Sequence, residues 1–138
     1  MARILAIDYG TKRIGLAVTD PLQIIATPLA TVPSTDIWEY LQKYTTTEPV
    51  ELFVVGEPRY EDGNPSATTA LVNTFVRQLQ KKFPNIPIKL WDERFTSILA
   101  KQTLLQSGLS KKKRADKSLL DSTSATIILQ EYMEANIY

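Results

Sequence analysis

The sequence predicts an α/β fold: a mixed β-sheet carrying helices on its faces. Three observations point there. Two short apolar runs joined by a tight turn open the chain, strand-like and helix-like patterns alternate after them, and several runs are continuous in apolar residues rather than alternating. Continuous runs mark strands buried on both faces. At 138 residues the chain is expected to form a single domain over 1–138.

Arg3 to Asp8, "RILAID", reads as a fully buried strand. Tyr9 to Lys12 form a turn containing Gly10, and "RIGLAVTD" returns as a second strand, with Ile14, Leu16 and Val18 on one face and Gly15, Ala17 and Thr19 on the other. So short a connection requires an antiparallel hairpin. Ile24 to Val32 is expected as a third strand, at an edge because Pro28 lacks a backbone donor. A helix starts at Ser34 or Thr35 and runs through Leu41, and "VELFVVG" is the next buried strand. A helix from about Ser66 to Phe83 places Leu71, Phe75, Leu79 and Phe83 on one stripe before Pro84 stops it. "IPIKLWDE" is the fifth strand. "TSILAKQTLLQSG" is a helix closed by Gly108, and "SLLDSTSATIILQEYMEA" is the last helix. The order is βββαβαβαα.

Composition narrows the chemistry. The chain has no Cys and no His, which excludes zinc ribbons, cysteine nucleophiles, disulfides and histidine-based triads. A general base or metal ligand must come from Asp, Glu, Lys, Tyr or water, and a metal held by carboxylates is a hard ion such as Mg²⁺ or Mn²⁺. No apolar stretch reaches the roughly 20 residues that span a bilayer, and the N-terminus lacks a signal-peptide pattern, so a cytoplasmic protein without a membrane partner is expected. The net charge of +1 hides an asymmetry: residues 1–69 carry five bases and nine acids, residues 70–138 eleven and six. Lys111, Lys112, Lys113, Arg114 and Lys117 gather in one segment, suited to a polyanion or simply to solvent.

Three acidic positions stand at the ends of elements. Asp8 ends the first strand, Asp92 and Glu93 end the fifth, and Asp121 lies on the helical stripe shared by Ala125, Ile128 and Tyr132. Each has a structural alternative: an Asx turn for Asp8, a surface ion pair with a helix cap for Asp92-Glu93-Arg94, and a dipole-favoured first-turn acid for Asp121. Acids that converge on one sheet edge repel one another unless a cation joins them. Two Mg²⁺ ions about 4 Å apart suit in-line phosphodiester cleavage. Gly10 lets backbone approach a metal or phosphate, or serves a turn with positive φ. Lys12, Arg13 and Arg94 flank the acids as candidate phosphate contacts.

The blocks "DYGTKRIGLAVTD", "VVGEP…DG", "DERFTS…A", "LLQSGLSKKKR" and "LLDSTSATIILQEYM" resemble, in order and spacing, the YqgF (RuvX) family. Its members are described as Holliday junction resolvases and as nucleases maturing the 5′ end of pre-16S ribosomal RNA. The resemblance runs from Arg3 to Tyr132. It implies a ribonuclease H-like fold with a five-stranded mixed sheet in the order 3-2-1-4-5. It further implies a metal-dependent nuclease whose carboxylates match Asp8, Glu93 and Asp121, with the basic segment Lys111 to Arg114 on nucleic acid. Structured RNA is the favoured substrate and branched DNA the alternative, with the protein a monomer or weak homodimer. Two departures stand out: Glu57 occupies a position usually apolar in the family, and "DSTSATIIL" replaces a more Ala-rich segment. Two other functions compete. "DYGT" also resembles the first phosphate loop of actin-like ATP-binding proteins, and the same fold could bind RNA or the ribosome without cleaving.

Overall fold

The structure is a computed structural model and describes residues 2–57, 67–92 and 117–135, with side chains in the last segment from Ser122 onward. The elements are β1 (Arg3–Asp8), β2 (Arg13–Thr19), β3 (Ala26–Pro33), a 3₁₀ turn (Ser34–Asp36), α1 (Ile37–Thr47), β4 (Val50–Glu57), α2 (Thr69–Lys82), β5 (Ile88–Asp92) and α3 (Lys117–Ala135). The five strands form one sheet in the order β3-β2-β1-β4-β5, as the family resemblance implies. β1 pairs antiparallel with β2, and β2 with β3, whereas β1, β4 and β5 run parallel.

Strand alternation divides the core in two. On one face Leu5, Ile7, Ile14, Leu16, Val18, Phe53 and Val55 pack under α1 and α2 through Ile37, Leu41, Val72, Phe75 and Leu79. On the other, Ile4, Ala6, Ala17 and Val54 pack under α3 through Ala125, Ile128 and Leu129. The second face is built of smaller side chains, so the α3 backbone comes close to the centre of the sheet. Both faces of β1 and β2 are covered, which is why these strands read as unbroken apolar runs.

Three sequence expectations need correction. β3 begins at Ala26 rather than Ile24. The Asp20 carboxylate accepts the backbone N–H groups of Ile24 and Ile25, both at 2.7 Å, and holds them in the preceding turn. The buried stripe of α2 is Val72, Phe75 and Leu79, at i, i+3 and i+7, while Leu71 stays 44% exposed. Gly10 does not adopt a positive φ; its need for glycine is steric, because a Cβ there would lie 2.3 Å from the Arg13 carbonyl oxygen. The expected helix over 96–108 with Gly108 at its end lies outside the described residues. Among the described residues no helix is long and apolar enough to cross a membrane.

Candidate active site

Because β1, β4 and β5 are parallel, their carboxyl ends gather at one edge of the sheet. Asp8 is the last residue of β1 and half-buried. It follows Ile4 and Ala6 in the alternation, so it stands on the face covered by α3. Its partner across the antiparallel ladder is Gly15. On the other side Ile7 pairs with Val55, and one step further the chain reaches Gly56. The acid is thus bordered in both neighbouring strands by a buried glycine, with the buried pair Ala6 and Ala17 directly beneath. Neither neighbouring strand sets a side chain of its own beside the carboxylate at these two positions. Nothing in a single stretch of sequence marks this arrangement; it emerges once the strand register is known.

The turn after Asp8 is anchored from three directions. Tyr9 takes the opposite face, its ring 4.9 Å from that of Phe75, which stacks on Trp38 at 5.1 Å. Lys82 Nζ lies 5.3 Å from the Trp38 ring centroid, within cation–π range. Ser34 donates its backbone N–H to the Lys12 carbonyl at 3.0 Å and its hydroxyl to the Thr11 carbonyl at 2.7 Å. The hydroxyl expected to cap a helix therefore ties the first turn of the chain to the entry of α1. Gly10 permits the remaining close approach, to Arg13. Lys12 is exposed and Arg13 half-buried on this turn, which places both bases a few residues from Asp8.

The other acids divide. Asp92 ends β5 and pairs in register with Glu57, the last residue of β4. Both follow the alternation of Phe53, Val55 and Ile88 and so stand on the α1/α2 face, opposite Asp8. The unusual Glu57 is therefore separated from Asp8 by the sheet, and so is Asp92. Position 121 lies in α3, on the stripe whose later members Ala125 and Ile128 are fully buried. Further along the helix, Tyr132 meets Trp91 edge to face at 5.8 Å, and Trp91 Nε1 donates to Glu131 Oε2 at 3.0 Å. Those contacts clamp α3 onto β5. The side chain of Asp121 lies outside the described residues, as do Glu93, Arg94, Lys111, Lys112, Lys113 and Arg114. Among the described residues no three acidic side chains lie close enough to hold a metal, and Asp8 is the one expected ligand whose side chain is described.

Residues 2–135 match the family model of RuvX, described as Holliday junction resolvase. The chain belongs to the RuvX family. Relatives in this family include a protein of Phocaeicola vulgatus, 52% identical over all of this chain and 99% of its own length, and one of Parabacteroides distasonis, 51% identical over the same shares. Both carry the name "Putative pre-16S rRNA nuclease". Among solved structures, Thermus thermophilus RuvC in complex with a Holliday junction substrate superposes with a TM-score of 0.63. The match covers 99% of this chain and 96% of RuvC at 16% identity, so the likeness is one of fold. RuvX membership agrees with the observed sheet order.

Proposed function

We propose that this chain is a divalent-metal-dependent endonuclease that hydrolyses phosphodiester bonds in structured nucleic acid, with the 5′ end of pre-16S ribosomal RNA as its substrate. The observation that carries the reading is Asp8: a half-buried carboxylate at the carboxyl edge of a ribonuclease H-like sheet, bordered by Gly15 and Gly56. The names of the full-length RuvX relatives support the choice of RNA.

The donor chemistry fits a hard ion. Without thiol or imidazole anywhere in the chain, only oxygen donors are on offer, which favours Mg²⁺ or Mn²⁺. Asp8, Glu93 and Asp121 would hold the ions, two in number. Bound there, the metal supplies charge neutralisation at the scissile phosphate and activation of the attacking water. The protein contributes position: the β1 ladder and the Tyr9 anchor fix the Asp8 backbone, and Gly15 and Gly56 set no side chain of their own beside it. Lys12, Arg13 and Arg94, with Lys111, Lys112, Lys113 and Arg114, would pair with backbone phosphates, so binding should weaken as salt rises. The chain works as a single domain in the cytoplasm, as a monomer or weak homodimer.

The test compares a 5′-extended 16S precursor with a four-way DNA junction, in Mg²⁺ and in EDTA, for wild type and Asp8→Asn. Metal-dependent cleavage of the RNA, lost in Asp8→Asn by about a hundredfold or more, supports the proposal; losses of 10–100-fold already follow removal of groups that merely orient a metal ligand. Preferential cutting of the junction would instead support the resolvase reading that the family description carries. Equal cleavage by Asp8→Asn would sink both.

A further inference from the structure

The turn between β2 and β3 lies at the end of the sheet away from Asp8, beside the start of β1, where Thr19 Oγ1 accepts the Ile4 N–H at 3.0 Å. It exposes three large apolar side chains within four residues: Leu22 at 60%, Ile24 at 67% and Ile25 at 61%. Lone exposed leucines are ordinary, but a cluster of this kind marks an interaction surface.

The turn is also built rather than loose. Asp20 accepts N–H bonds from Leu22 at 3.0 Å and from Ile24 and Ile25 at 2.7 Å. Gln23 adopts a left-handed φ of 58°, a conformation unfavourable for a non-glycine residue. Its side-chain amide donates to the Ala2 carbonyl at 2.9 Å and to Glu51 Oε1. A strained residue held by two long-range bonds keeps the apolar side chains pointing outward in a defined arrangement. Beside them, Ile24, Ile25, Ala26, Gln130, Met133 and Glu134 line a groove of about 360 Å³.

Charge selects the occupant. Asp20, Glu51 and Glu134 stand beside the apolar surface, while Arg3, at the start of β1, is half-buried and engaged by Glu48 at 3.3 Å and by the Thr19 carbonyl at 3.0 Å. An acidic rim disfavours nucleic acid and anionic membranes. It disfavours a second copy as well, because a two-fold contact sets the same patch against itself, acid against acid. Six described residues line the groove, against the roughly 20–30 a side of a standard protein interface, so it suits a short segment. We propose that the β2–β3 turn and this groove dock a basic amphipathic segment of another protein. Its apolar side chains seat against Ile24, Ile25 and Met133, and its lysines or arginines face Glu51 and Glu134. The surface lies far from Asp8, so the proposal is independent of the nuclease reading.

The test is amide chemical-shift mapping on the full chain with a synthetic 14-residue peptide, Leu at helical i, i+3, i+4 and i+7 positions and Lys elsewhere. The same peptide with Glu in place of Lys serves as control. The expected result is binding of the Lys peptide alone, with shifts confined to residues 20–26 and 130–134. Its Kd should rise at least tenfold in Leu22→Ser/Ile25→Ser and again in Glu134→Lys, with melting temperatures unchanged. Glu134→Lys, at an exposed helix position, carries the test if the serine variant fails to fold. No binding, equal binding of the Glu peptide, or shifts centred on Tyr9 to Arg13 would overturn the proposal. So would a concentration-dependent dimer in sedimentation that Ile25→Ser abolishes, or co-sedimentation with phosphatidylglycerol vesicles that the same variant prevents.

Discussion

Asp8 and Gly15 face each other across the β1–β2 ladder, the sheet's terminal acid opposite a residue with no side chain. Paired residues in an antiparallel ladder hold their Cβ atoms about 4.5–5.5 Å apart on the same face. A branched side chain at position 15 would therefore occupy the flank of the carboxylate. Gly15→Val is expected to lower cleavage at least about tenfold while costing roughly 1–3 kcal/mol through overpacking. Gly15→Ala should do far less of both. Cleavage rates measured beside urea unfolding separate the two effects; a Val variant as active as wild type would mean that the flank of Asp8 plays no part.

Gly10 makes a different demand. A methyl group there would sit 2.3 Å from the Arg13 carbonyl oxygen, a backbone atom that cannot swing aside. Gly10→Ala must shift the whole turn, at a cost of about 1–3 kcal/mol. The Ser34 bonds to Thr11 and Lys12 should weaken with it. Amide hydrogen exchange at Ser34 reports the loosening directly, and unchanged protection there would refute the linkage.

Trp91 is the contact between β5 and α3 with the clearest chemical handle. Trp91→Phe keeps an aromatic ring against Tyr132 but removes the N–H donated to Glu131. The loss should be about 1 kcal/mol, because the bond is to a charged group but only partly buried. Denaturant midpoints of Trp91→Phe, Glu131→Gln and the double variant form a cycle whose coupling should be of that size.

Stability should depend on acid through Asp20. The N–H of Ile25, followed by those of Ile24 and Leu22, holds its carboxyl below the ordinary aspartate range in the folded chain. A carboxyl lowered on folding stabilises the native state fully above its unfolded value, about pH 4. That contribution is lost as pH falls through the lower, folded value. Wild type should therefore exceed Asp20→Asn in melting temperature at pH 7, with the gap closing in strong acid. A gap that stays constant down to pH 2 would contradict the assignment.

Much of this was legible before any coordinates. The unbroken apolar runs of β1 and β4 announced strands covered on both faces, and an acid closing such a run pointed to the sheet edge. The order of strands came from the resemblance rather than from periodicity, since pattern alone does not say which strands pair. Two errors have separate causes. Ile24 and Ile25 read as the start of the third strand, yet one aspartate side chain outcompeted the ladder for their N–H groups. Leu71 read as core because it stands four residues before Phe75, whereas the helix turns Val72, three before Phe75, onto the sheet. The glycines beside Asp8 depend on pairing between residues far apart in the chain, and no local window contains that information.

The chain's two tryptophans stand on opposite sides of the sheet, Trp38 stacked on Phe75 under the two-helix layer and Trp91 clamped to α3. Each layer therefore carries its own fluorophore. Replacing either tryptophan by phenylalanine leaves an emission signal from one layer alone. Comparing the two unfolding curves would show whether the layer bearing Asp121 lifts away at lower denaturant than the rest, a partial opening that ensemble-averaged stability conceals.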